Sequence, residues 1–196
     1  MINGEVLGII AGVLSFIAYF PYIYSIFKGK TKPSRSSWWI WSFVGLLILL
    51  SYYEVGARNT IWIPLVFFIC PLIIAILSIW FGEGKKLNKL DKICILGVLI
   101  SLIPWFVFKS AHVTLFINIF IDFLGFLPTF QKTYQNTESE DGTTWILFFV
   151  ASILNIIALE NYGFSIMLYP AYMIIMDIIM IYIIFMKSFK FNKLIK

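Results

Sequence analysis

Along the chain, long uninterrupted apolar runs alternate with short polar connections. The runs cover residues 6–27, 37–53, 61–81, 93–108, 110–131, 143–159 and 162–186. They do not alternate apolar and polar residue by residue, so they read as helices rather than as strands of a closed barrel. Six have roughly the length that crosses a bilayer, about 20 residues, and the fourth lies at the short end of that range. The pattern predicts an all-α membrane protein with seven transmembrane helices.

Composition agrees with a lipid environment. Apolar residues make up 61% of the 196 and charged residues 13%, and the mean hydropathy is +0.92. Soluble domains hold about 45–50% apolar and about 25% charged residues. In lipid, backbone polar groups must be satisfied within helices or closed barrels. The first run lacks a basic flank and a small-residue cleavage site, so it is read as the first span and not as a cleaved signal.

The net charge of +5 is distributed with a bias. With the N-terminus outside, the connections after the first, third and fifth spans and the C-terminal tail hold 13 of the 15 basic residues, clustered at 28–35, 85–92, Lys132 and 187–196. Arg58 and Lys109 face the other side. Basic residues collect on the cytoplasmic side of membrane proteins. The expectation is therefore a multi-pass protein of the cytoplasmic membrane with its N-terminus outside and its C-terminus inside. In this setting the positive charge does not imply nucleic acid.

The chain also repeats itself. FIAYFPYIYSIFKGKTKPSRSSWWIW, 16–41, aligns with FLGFLPTFQKTYQNTESEDGTTWILF, 123–148, at an offset of 107. Pro21 matches Pro128, and a tryptophan follows each by 17 residues, Trp38 and Trp145. One residue is lost in the following connection, after which Glu54 meets Glu160 and Pro64 meets Pro170. Three helices per copy would invert the second copy, and the extra fourth helix restores its sense. This predicts a parallel 3+1+3 arrangement with a first bundle over 1–82, a linker helix over 83–109, and a second bundle with a basic tail over 110–196. Parallel repeats occur in transporters that bind substrate near the midplane, where the repeats meet.

These residues give the sequence a resemblance to a known family. Pro21, the following Lys28-Gly29-Lys30-Thr31-Lys32, Trp38 and the second-copy Pro128 resemble the PQ-loop/SWEET superfamily, in particular bacterial seven-helix PQ-loop-like membrane proteins with strings such as GKTKPSRSSWWIW and DFLGFLPT. The glutamine of the PQ pair is replaced by Tyr22 and by Thr129, and spans two and six lack proline. The resemblance implies small-solute transport by alternating access. Members also include a retrieval receptor, so a receptor or binding protein without net flux is the alternative.

Ionisable residues at bilayer depth mark function by default. Asp122 and Asp177 are the two such residues. Asn118, Asp122, Gly125 and Thr129 share one face of the fifth span, matching Ala11, Ser15, Ala18 and Tyr22 of the first. Ser152 and Asn155 lie in the sixth span. The substrate-binding or proton-coupling set is thus Asn118, Asp122, Ser152, Asn155 and Asp177, and the rival role for each Asp is an interhelical hydrogen bond. Pro21 and Pro128 are candidate hinges. Lys30, Lys32 and Arg35, set against Glu138, Glu140 and Asp141, are candidates for an electrostatic cytoplasmic gate. Trp38, Trp39, Trp41 and Trp145 read as interfacial anchors.

No catalytic constellation, phosphate-binding glycine loop or metal-ligand cluster is recognisable, so no enzyme activity, cofactor or metal is expected. Cys70 and Cys94 read as buried thiols, and His112 as an interfacial residue. The expected partners are the lipid bilayer and a small-molecule substrate, with a second copy of the chain as a further candidate.

Overall fold

In the computed structural model, residues 4–54, 62–83, 86–107, 111–159 and 163–194 are described. Arg58, Lys85, Lys109, Glu160 and Lys196 lie outside them. Only the backbone is described for Glu54, Pro64, His112, Lys187, Lys190 and Lys193.

Among the described residues the protein is all-helical. Its seven α-helices are α1 (Gly4–Phe27), α2 (Arg35–Glu54), α3 (Trp62–Phe81), α4 (Lys89–Val107), α5 (Ala111–Gln135), α6 (Gly142–Ile157) and α7 (Phe164–Leu194). Each falls on one of the apolar runs. A 3₁₀ turn, Thr137–Ser139, joins α5 to α6. Among the described residues, three segments are long and apolar enough to cross a membrane: Val6–Phe27, Leu115–Gln135 and Met167–Met186. Arg35–Leu50, Leu65–Phe81 and Gly142–Ile157 are shorter apolar helices. Large apolar side chains stand exposed on them, such as Ile9 and Phe20 on α1 and Leu96, Ile100 and Ile103 on α4. A soluble monomer rarely exposes apolar surface on this scale, so the fold is compatible with a membrane protein.

Local chemistry sets the helix ends. α1 closes in a Schellman turn. Gly29, at φ 70°, takes the left-handed position; its N–H reaches Ile26 O at 2.9 Å and the Lys30 N–H reaches Ser25 O at 3.1 Å. α2 opens with Ser34 as cap, whose Oγ accepts from Ser37 N–H. α6 opens with Asp141, whose Oδ1 accepts from the N–H and the hydroxyl of Thr144, each at 2.8 Å. α4 opens with a reciprocal capping box: Asp91 N–H donates to Asn88 Oδ1 and Asn88 N–H to Asp91 Oδ2. α5 runs past 131 because no glycine or proline interrupts Lys132–Gln135, and it stops at Asn136, which caps the 3₁₀ turn instead. α7 likewise continues past 186, with no breaker after Pro170.

The chain forms two compact units, 1–31 with 130–196, and 32–129. In the first, α6 packs against both α1 and α7. In the second, α2 packs against α3 and α4. Residues 111–129 of α5 belong to this second unit, whose core joins Ile40 and Val44 of α2, Cys94 and Val98 of α4, and Ile121 and Leu124 of α5. The units therefore group α1 with α6 and α7, whereas a division at 82 and 109 keeps the sequence-order halves together.

Proline lies inside each odd-numbered helix: Pro21, Pro71, Pro128 and Pro170. A proline leaves the carbonyl four residues earlier without its helical donor. For Pro71 that carbonyl belongs to Phe67, and Gly45 of α2 lies directly against it. A Cβ on Gly45 would fall 2.8 Å from Phe67 C and Phe68 Cα. Only glycine allows this approach, which brings the α2 backbone onto the interrupted part of α3.

Candidate functional site

The first unit contains two buried polar clusters. One centres on Glu140, which lies between the 3₁₀ turn and the α6 cap and is fully buried. Its Oε1 pairs with the Lys132 ammonium from the end of α5 and accepts from the Tyr22 hydroxyl of α1 at 2.9 Å. Its Oε2 accepts from Trp145 Nε1 at 3.0 Å. The Lys132 ammonium also donates to Ser139 O at 3.3 Å. A buried ion pair is tolerable only where further hydrogen bonds satisfy the remaining polar sites. Tyr22 and Trp145 supply these to the carboxylate, and Ser139 supplies one to the ammonium.

The other cluster joins α6 to α7. The Ser152 hydroxyl donates to Asp177 Oδ2 at 2.8 Å, and Asp177 is wholly buried. The structure thus brings two of the expected site residues together. Asn155, on the same helix as Ser152, is exposed.

In the second unit, Asp122 is 6% exposed, and its backbone carbonyl accepts from Trp41 Nε1 at 3.3 Å. Asn118 lies one turn earlier on α5, and its Oδ1 is buried with no hydrogen-bond partner among the described residues. Two members of the predicted small or polar face of α5 pack on α2. Thr129 donates to Ser37 Oγ at 2.8 Å. A Cβ on Gly125 would fall 2.7 Å from Trp41 Nε1. On α1, Ala11, Ala18 and Tyr22 are likewise buried. Asn118 and Asp122 belong to the second unit, and Ser152, Asn155 and Asp177 to the first.

The hinge candidates Pro21 and Pro128 sit within unbroken helices. The gate candidates differ in environment. Lys30, Lys32 and Glu138 are exposed. Arg35 caps the C-terminal end of α3, with Nε donating to Ser78 O at 2.8 Å and a terminal nitrogen to Ile79 O at 3.2 Å. Asp141 caps α6, and Glu140 is the hub described above.

Three features escaped sequence reasoning. Lys132 reads as an exposed connection residue but is buried in an ion pair. Asp91 takes a hydrogen bond from Ser36 of α2 as well as capping α4. Trp38 and Trp145, read as interfacial anchors, are buried at 2% and 3% exposure, and Trp39 is the exposed member of the set. Each indole has aromatic company at its back. Trp38 stacks edge-on to Trp41, and Trp145 to Phe148.

The fold and these clusters define an all-helical protein whose apolar helices suit a bilayer and whose polar chemistry is buried within its units. No family model matches the chain, and no curated protein or solved structure matches it.

Proposed function

We propose that the protein is a small-solute membrane transporter of the PQ-loop/SWEET type. It crosses the cytoplasmic membrane seven times with its N-terminus outside, as a parallel 3+1+3 repeat working by alternating access. The observation that carries this reading is that contacts recur at the repeat offset. The ring of Trp41 meets that of Phe126 at 4.9 Å between centroids, in a T-shaped pair. Adding 107 to the first number and subtracting it from the second gives Phe148 and Tyr19, which meet at 5.2 Å in the same T-shaped manner. The cap Ser34 with Ser37 corresponds to the cap Asp141 with Thr144. In each case the first helix of one copy packs on the second helix of the other. Contacts that recur at the repeat offset are what two copies built on one plan would make, and parallel repeats are found in membrane transporters.

The second and third helices of each copy meet through different chemistry. Gly45, set against the Phe67 and Phe68 backbone, corresponds to Ser152, which donates to Asp177, the counterpart of Pro71. Where the first copy docks its helices by close backbone approach, the second uses a hydrogen bond. That gives Asp177 a packing role and leaves Asp122, whose counterpart is the uncharged Ser15, as the leading coupling residue.

A thermal-shift screen of the purified protein tests the reading, covering sugars, amino acids, nucleosides and vitamin precursors at two pH values. A solute that stabilises the wild type and fails to stabilise Asp122→Asn supports it. A stabilising solute that is bound but never carried across a vesicle membrane identifies a receptor instead.

A further inference from the structure

α4, the helix without a counterpart in the repeat, divides into two faces. Asp91, Cys94, Val98 and Ser101 are buried on one side. Ile93, Leu96, Leu99, Ile100 and Ile103 stand exposed on the other, at 54% to 63%. Their spacing puts the two sets on opposite sides of a helix with 3.6 residues per turn. From Ile93 to Ile103 the exposed stripe runs about 15 Å. That is half of the roughly 30 Å hydrocarbon core of a bilayer, the depth of the acyl chains of one leaflet.

Basic residues head the stripe. Lys89 and Lys92 lie on the same side of α4, and Lys86 lies in the connection just before it; all three are exposed. None of the three has an ion-pair partner among the described residues. The acid of this turn faces inward. Asp91 Oδ1 accepts from Ser36 Oγ at 2.5 Å, and Oδ2 accepts from Asn88 N–H at 2.7 Å. The Ser36 bond fixes the start of α4 against α2, so the lysines stand on a held platform.

Other basic groups are engaged or placed differently. Lys132 is buried with Glu140, Arg35 caps α3, and Lys28 lies over the Tyr24 ring at 5.4 Å. Lys28 and Lys30 follow the end of α1, where the helix dipole is negative. Lys89 and Lys92 lie at the start of α4, where it is positive, so lysines and dipole attract an anion in the same sense.

We propose that the exposed face of α4 seats an anionic phospholipid, with its phosphate against Lys86, Lys89 and Lys92 and its acyl chains along 93–103. A zwitterionic phospholipid offers the same chains, but its own cation offsets the phosphate, so charge is what selects between them. The proposal rests on the reading of α4 as embedded in a bilayer with its start on the cytoplasmic side; it does not depend on transport.

Lipid titrations followed by native mass spectrometry test it, on full-length protein released from nanodiscs, with phosphatidylglycerol and phosphatidylcholine as the two probes. The wild type should prefer phosphatidylglycerol, and the double variant Lys89→Gln/Lys92→Gln should lower that preference roughly tenfold or more. Lys28→Gln/Lys30→Gln removes the same charge elsewhere and should leave the preference within about twofold of wild type. An equal loss in both variants would overturn the proposal, because net charge alone would then attract the lipid. Wild-type protein in the nanodisc with no preference would overturn the lipid site alone. Protein that never enters the nanodisc would overturn the membrane reading and the site with it. Wild-type preference should also fall steeply as salt is raised, and a salt-independent preference would contradict recognition by the lysines.

Discussion

A methyl group added at Gly45 would collide with the Phe67 and Phe68 backbone, which belongs to a helix and cannot turn aside. Gly45→Ala should therefore cost about 1–3 kcal/mol, seen as a lower midpoint of thermal unfolding. Gly12→Ala is the matched control. Nothing lies within 4 Å of its added Cβ, so the substitution should be neutral or slightly stabilising. Ser152 and Asp177 make a similar test for hydrogen bonding. Ser152→Ala should cost about 0.6 kcal/mol and at most about 1.7, the average and the upper end for hydrogen bonds between membrane helices. Asp177→Asn keeps an acceptor for Ser152 and should leave stability nearly unchanged. A double-mutant cycle between the two positions should give a coupling energy, and none would mean that the bond does not hold α6 to α7. The Ser152–Asp177 contact was only partly legible in the sequence. The carboxyl stood out as costly at that depth, but its donor could not be chosen among Ser152, Asn118 and Asn155 without knowing that α6 packs on α7.

At the scale of elements, caps explain where helices begin, and caps are short-range enough to be tested singly. Asp141→Ala removes an acceptor for the N–H and hydroxyl of Thr144 and should destabilise by about 0.5–2 kcal/mol, with Asp141→Ser recovering most of the loss. Circular dichroism during thermal unfolding reads the outcome. Helix positions were legible because apolar runs end where Gly29, Ser34, Asn88, Asn136 and Asp141 supply turn or capping chemistry. The tryptophans were not. An indole at the start of a span suits a membrane interface or a protein interior equally well by sequence, and Trp38 and Trp145 are buried because a neighbouring ring and, for Trp145, the Glu140 carboxylate receive them. Lys132 was misread for a related reason. Its partner Glu140 sits in an acidic connection that suggests solvent, and the tyrosine completing the cluster is 118 residues from that carboxylate.

For the whole molecule, the transporter account makes a topological commitment and a functional one. Seven crossings place the N-terminus and the C-terminus on opposite sides of the membrane. Of single cysteines introduced near each end, in a background with Cys70 and Cys94 replaced, the N-terminal one should be labelled by an impermeant maleimide in right-side-out vesicles and the C-terminal one only in inside-out vesicles. Labelling of both from one face would remove a crossing and break the parallel repeat. The expectation of this orientation was readable in the distribution of Lys and Arg. The pairing of α1 with α6 was not, because a repeat shows which residues correspond and not which copy each helix packs against.

The most direct test of the central claim is solute counterflow in proteoliposomes, using whichever solute of the screened panel stabilises the wild-type protein. The account predicts accumulation of labelled solute against its own gradient in wild-type vesicles, and its loss in Asp122→Asn protein that unfolds at the wild-type temperature. Binding of that solute without any counterflow would contradict transport, and full counterflow by Asp122→Asn would remove Asp122 from the coupling site.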